Sequence, residues 1–248
     1  MTLLTSGNTA KLYCLNWIEQ IIQQKGESIR ILDAGCGRSA NFIELLRRYP
    51  GVEYTGIEPN PAACTVAQRN LKGFKATIIN DYAYDMMGRL VDKPFDIVLS
   101  FSVFEHVYRR QKYLDSVVNC MHDDSYFLIN YDAGHFMAPA TLKEAAKNII
   151  GPLIAPLGME RYYQRFVPEA DFRLMLDRAG LFITEVKSFN TRMKGIHKHV
   201  PDAHKEAHMQ RWLDYELWLN ELKIPYEDKD ARTWFTRNYV LRRQPQTP

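Results

Sequence analysis

Apolar side chains recur at helical spacing through Leu12, Leu15, Ile18, Ile21 and Ile22, which predicts a helix over residues 9–25 stopped by Gly26. The rhythm then shortens. Residues 28–33, 52–57, 75–79, 95–101 and 126–131 read as strands, and the run Ile97, Val98, Leu99 suits a strand buried on both faces. Between them the helical period returns over 40–49, after Asn60-Pro61, and over 107–121. Asn60 can cap free N–H groups and Pro61 fits a first helical position. Strands alternating with helices predict crossover units around a parallel sheet, with the ligand outside the carboxyl ends of the strands.

The second half is less regular. A helix is expected over 141–150 between Pro139 and Pro152, then a helix over 169–179 ending at Gly180. A strand follows over 182–189, a helix near 203–222, and a last strand over 233–241. Segments 133–166 and 190–230 read as cap insertions in one domain spanning residues 1–248. The longest apolar stretch, 148–159, is interrupted by two prolines and is too short to span a bilayer.

Composition narrows the class without naming a chemistry. With 46% apolar and 25% charged residues among 248, the chain is that of a globular protein and not a disordered one. The balance of 32 basic and 29 acidic side chains, net +3, argues against a dedicated nucleic-acid binder. Basic positions such as Lys187, Lys198, Arg237 and Arg242 are interspersed with acids, as on a solvated face. Cys14, Cys36, Cys64 and Cys120 form no C-x-x-C and no zinc spacing, so free thiols and a cytoplasmic location are expected.

The first strand runs into Asp33-Ala34-Gly35-Cys36-Gly37-Arg38-Ser39-Ala40, a glycine turn opening a helix. Glu58, 21 residues after Gly37, ends the second strand, where a carboxylate can accept from both hydroxyls of a ribose. Glycine turn and distant acid also describe a dinucleotide site. Asp33 separates the two readings, because a carboxylate against the turn repels a pyrophosphate and favours positive charge. S-adenosylmethionine, with an ammonium, a sulfonium and no phosphate, is preferred over NAD.

Ile31-Leu32-Asp33-Ala34-Gly35-Cys36-Gly37 resembles the first motif of the class I S-adenosylmethionine-dependent methyltransferases, and Gly56-Ile57-Glu58-Pro59-Asn60 resembles the second. Asn80-Asp81-Tyr82 and Phe95-Asp96-Ile97-Val98-Leu99-Ser100 resemble the motifs at the third and fourth strands. Phe104-Glu105-His106-Val107 resembles that of the quinone-biosynthesis and small-molecule branch. The resemblance spans most of 28–189 and 232–243; Ser39 departs from it, standing where the family usually has a third glycine but still able to cap the helix. It implies an α/β, Rossmann-like, mostly parallel seven-stranded sheet with helices on both faces, an antiparallel last strand and an inserted helical cap.

Carried over residue by residue, the resemblance places Asp33 by the methionine ammonium and lets the methionyl part pass Gly35 and Gly37. Glu58, with Pro59 beside it, would hold the ribose. Asp81 would accept from the adenine amine with Tyr82 beside the ring, and Ser100 and Phe101 would close the pocket. His106 is the first candidate base and His135 the second. Tyr131 lies at the same mouth, and Phe136, Tyr162 and Tyr163 offer aromatic walls for a small acceptor. Arg161 and Arg165 could hold an acceptor carboxylate or phosphate.

No metal is expected. Ser102 stands where an E-x-x-E-H pattern needs its first acid, leaving only Glu105 and His106. His197, His199, His204 and His208 read as a solvated polar face. Trp212, Tyr215, Leu219 and Leu222 form a helical stripe suited to core or to a dimer contact, so monomer and homodimer both stay open. The favoured reading is methyl transfer to a small molecule, oxygen before nitrogen. Nitrogen transfer, nucleic-acid methylation and a cofactor-binding regulatory protein are the alternatives. Nothing after the fourth strand resembles the Asn-Pro-Pro-Tyr of adenine or glutamine N-methylation.

Overall fold

A computed structural model describes residues 7–26, 28–90, 92–132, 142–157, 160–191, 193–224, 227 and 233–244. Its centre is a seven-stranded sheet in the order β3-β2-β1-β4-β5-β7-β6. The strands are β1 (Arg30–Ala34), β2 (Glu53–Ile57), β3 (Ala76–Ile79), β4 (Phe95–Phe101), β5 (Met121–Asp132), β6 (Leu181–Phe189) and β7 (Thr236–Arg243). β1 to β5 run parallel, and β7 is antiparallel to both β5 and β6.

Alternate side chains of the buried strands feed two cores. Ile31, Ile97, Leu99 and Leu128 face one cluster with α1 (Thr9–Lys25), α2 (Ile43–Arg48) and α9 (Asp202–Glu221). Leu32, Val98, Phe127 and Ile129 face the other, with α5 (Arg110–Asn119) and α7 (Glu169–Arg178). A strand exposes opposite faces at successive residues, so a continuous apolar run can fill both layers. Asn60 caps α3 (Pro61–Asn70) by accepting from Ala62 N and Ala63 N, with Pro61 in the first turn.

The structure moves several expected boundaries. The helix expected over 107–121 begins only at Arg110, because Phe104–His106 closes a 3-10 turn, and it ends at Asn119. β5 starts earlier than expected, at Met121. The pairing passes from Phe95 with Met121 to Ile97 with Tyr126, so the polar segment between them bulges, and the Ser125 hydroxyl, which donates to Phe95 O at 2.6 Å and accepts from His122 N at 2.8 Å, ties that bulge to β4. In the cap, α6 (Leu142–Ile154) continues through Pro152. Its Gly151 meets the turn Glu160–Tyr162 so closely that a Cβ there would overlap the Tyr162 carbonyl oxygen. The short helices α4 (Ala83–Met86) and α8 (Lys194–His197) follow β3 and β6.

Met209, Trp212 and Leu213 of α9 belong to the buried cluster under α1, while Tyr215 and Trp218 of α9 and Leu222 just after it are exposed. His197 and His208 do not lie on a solvated face. Their Nδ1 atoms are 3.2 Å apart and His197 is buried, beside Trp212. No helix among the described residues is long and apolar enough to cross a membrane.

Candidate cofactor and acceptor site

The strand order reverses between β1 and β4, and the crevice at such a switch point opens at the strands' carboxyl ends. Two cavities lie there, of about 550 Å³ and 610 Å³, and they share Gly35, Glu58, Pro59, Val103 and His106.

The first cavity is built on the glycine turn. Gly35 N donates to Ile57 O at 2.8 Å, which draws the turn onto the end of β2. Gly35 has φ +107°, and a Cβ there would overlap Val103, so only glycine suits this crossing. Gly37 N donates to Glu58 Oε2 at 3.0 Å, and Asn60 N donates to Glu58 Oε1 at 2.9 Å. These bonds fix the orientation of the Glu58 carboxylate without consuming all its lone pairs.

Asp33 is buried at the base of this cavity. Its Oδ2 accepts from the Tyr54 hydroxyl at 2.7 Å, and its Oδ1 is buried without a hydrogen-bond partner. Burial pushes the carboxyl up to about 6, against the opposing pull of Tyr54 and then of Lys11. Lys11, from the first turn of α1, lines the same cavity. A buried carboxylate with a bare oxygen calls for a cation, and a lysine lining the same cavity calls for an anion. The pair fits a zwitterion, as the amino-acid end of S-adenosylmethionine is. Lys11 went unnoticed in the sequence, although a cation in the first turn of a helix opposes the macrodipole and is a signal of another role.

The second cavity is more aromatic. Tyr82, Tyr84, Tyr108 and Tyr113 line it with Val103, Val107, His106 and Glu160. Glu160 comes from the cap. It accepts from the Tyr84 hydroxyl and lies 3.1 Å from Arg109 Nε, tying the cap to α4 and to the residues before α5. His106 is exposed at the junction of the two cavities, with its Nδ1 3.4 Å from Tyr163 O.

The residues singled out from the sequence are thus only partly brought together. Asp33, Gly35, Gly37, Glu58, Pro59, Tyr82, Phe101 and His106 line the cavities. Ser100 does not: it is fully buried, because side chains alternate along β4 and Phe101 takes the cavity side. Asp81 is not among the lining residues; its Oδ1 accepts from Tyr82 N at 2.7 Å. Tyr131 is core, packed on Phe104, Phe172 and Tyr239 with its hydroxyl 3.1 Å from that of Tyr239. Tyr163 is buried against Tyr108, Tyr162 is half-exposed away from the cavities, and Arg165 lines a separate groove. His135 and Phe136 lie outside the described residues. Ser39 does not cap by its side chain. It takes a left-handed conformation, φ 51°, with Oγ 3.2 Å from the Tyr54 hydroxyl. Among the described residues no group of three His, Cys, Asp or Glu side chains could hold a metal ion.

Known proteins resemble the chain at the level of fold. A plantazolicin methyltransferase, BamL, solved with a triazolic desmethylPZN analogue and SAH, superposes with a TM-score of 0.58 at 15% identity, covering 94% of this chain and 84% of that one. A SAM-dependent methyltransferase from Archaeoglobus fulgidus superposes with a TM-score of 0.53 at 16% identity, covering 92% and 94%. In sequence, a release factor glutamine methyltransferase from Geobacter sulfurreducens is 26% identical over 85 residues, spanning 34% of this chain and only 29% of its own length. Residues 8–186 match the model of the methyltransferase domain family, and they contain the glycine turn, Glu58 and the His106 turn. The chain therefore belongs to the class I S-adenosylmethionine-dependent methyltransferases.

Proposed function

We propose that this enzyme methylates an oxygen of a small molecule seated in the aromatic cavity of about 610 Å³, with His106 as the base. The carrying observation is that the cavity of the glycine turn and the aromatic cavity meet at His106. Bound S-adenosylmethionine supplies an electrophilic methyl group on a sulfonium. Asp33 and Lys11 would hold its ammonium and carboxylate, and Glu58 and Pro59, which line both cavities, would meet its ribose and adenine. Transfer requires the acceptor atom roughly 3 Å from the methyl carbon and in line with it, so the protein's part is to position the acceptor and remove its proton. A proton on Nδ1 of His106, donated to the Tyr163 carbonyl, is the tautomer that makes Nε2 the acceptor.

The aromatic lining favours a planar, partly apolar acceptor. The glutamine methyltransferase relative does not carry its substrate over, because Ser102-Val103-Phe104-Glu105 follows β4 here in place of an Asn-Pro-Pro-Tyr segment. The test is methyl transfer from labelled S-adenosylmethionine to a panel of phenols and amines, with wild type and His106→Gln. The variant should lose about 10²–10⁴-fold in kcat on a hydroxyl acceptor while binding the cofactor normally. A kcat within threefold of wild type would remove His106 as the base, and turnover of amines alone would favour nitrogen transfer.

A further inference from the structure

Beside the His106 turn, but sharing no lining residue with either cavity, lies a groove of about 490 Å³ on the flank of α7. Arg110, Arg165 and Arg178 line it, with Asp171 as its one carboxylate. No ion pair joins Asp171 to any of the three guanidiniums among the described residues, and Arg165 and Arg178 have no carboxylate partner there. Arg110 spends its terminal nitrogens on the carbonyls of Arg165, at 2.6 Å, and Phe166, at 3.4 Å. Its Nε is buried without a partner. The backbone therefore pins two like charges beside one another. Arg165 adds repulsion to the burial that already holds Arg110 below its ordinary range, and Tyr163 and Glu105 offset it only in part.

A fold does not gather like charges for stability, and a local conflict of this kind marks a site whose compensation comes from outside the chain. Guanidiniums present forked donors that match the oxygens of a phosphate. Leu174, 57% exposed, and Met175 supply an apolar wall on the same groove. We propose that this groove is a second ligand site, which takes the phosphate group of a small molecule on Arg165 and Arg178 with Arg110 behind them. The ligand is either free phosphate or a phosphate ester whose apolar body lies on Leu174 and Met175. Arg165 N donates to Glu105 O at 3.0 Å, so the occupied groove abuts the turn that carries His106.

The experiment is calorimetric titration of the full chain with inorganic phosphate and with phenyl phosphate at fixed ionic strength. The proteins are wild type, Arg165→Gln, Arg178→Gln and, as a control on a surface arginine elsewhere, Arg69→Gln. All three positions are exposed, so the variants should fold, which a thermal melt confirms. Saturable binding by wild type, at least tenfold weaker in both groove variants and unchanged in Arg69→Gln, is the expected result. Tighter binding of phenyl phosphate assigns the ester, and equal binding assigns free phosphate. No saturable binding of either anion, or equal weakening in all three variants, overturns the site. None of these outcomes depends on the methyl acceptor or on His106.

Discussion

Asp33 carries the residue-scale argument. Burial raises its carboxyl to about 6, so the folded protein holds this proton more tightly than the unfolded chain does, where the group titrates near 3.8. The ionised form therefore costs stability that is absent at low pH and grows as pH rises from about 4 through 6. A cation bound against the bare Oδ1 offsets that cost only when Asp33 is charged. Affinity for S-adenosylmethionine should thus be level above pH 7 and weaken below pH 6, approaching about tenfold per unit as one proton must leave on binding. Titration calorimetry between pH 5 and 8 checks this. Asp33→Asn should bind more weakly at pH 7.5 and show no such slope; an unchanged slope would place the titrating group elsewhere. Asp33 was legible in the sequence because it sits in a contiguous motif, whereas its partners Tyr54 and Lys11 were not, since β2 and α1 reach it only through the fold.

At the scale of elements, the cap reaches the aromatic cavity in part through a contact that no pattern announces. Gly151 lets α6 press on the Tyr162 carbonyl, and the turn it presses on carries Glu160 into the cavity. In Gly151→Ala the helix or the turn must shift, loosening Glu160 from Tyr84 and Arg109. The acceptor KM should rise about tenfold while cofactor affinity stays within twofold, since tenfold corresponds to about 1.4 kcal/mol, the loss of one or two modest contacts. Steady-state kinetics with saturating cofactor separates the two quantities. Equal weakening of both would mean that the cap also shapes the cofactor cavity. The periodicity of residues 141–150 predicted this helix but stopped it before Pro152, because a rule about helix interiors cannot see a neighbouring turn that holds the last residues in place.

For the whole molecule, the first helix and the last are joined by a buried carboxylate. Glu216 of α9 accepts from the Thr9 hydroxyl, from Thr191 N at 2.7 Å and from Trp212 Nε1 at 2.8 Å, linking α1, the end of β6 and α9. Burial raises its pKa, and these donors pull it back. Removing the carboxylate empties a buried site and takes the acceptor from Thr191 N, while Trp212 Nε1 keeps Thr191 Oγ1 at 3.0 Å and the Thr9 hydroxyl keeps Asn190 Oδ1 at 3.1 Å. Glu216→Ala should therefore lower the unfolding free energy by about 3 kcal/mol, and Glu216→Gln by less. Urea denaturation measures both, and a loss below about 1 kcal/mol in the alanine variant would show that water replaces the carboxylate. The helical stripe around Trp212 left core and dimer contact open. The structure divides it, with Trp212 inside and Tyr215, Trp218 and Leu222 outside, because only three-dimensional packing decides which side of a long helix a sheet covers.

The sequence by itself determined the alternation of strands and helices, the parallel sheet, the glycine turn, the carboxylate that ends β2 and the histidine after β4. These are local facts: hydrophobic period, turn chemistry and short motifs act within a few residues, so they can be read along the chain. Tertiary structure alone decided which side chains share a cavity. It put Lys11 in the cavity that Asp33 lines and Glu160 beside Tyr84, and it withdrew Ser100 and Tyr131 into the core. The same packing set Arg165 in a groove of its own. Those outcomes depend on strand order and on which face of each strand a helix covers, and neither is encoded within a local stretch of the chain.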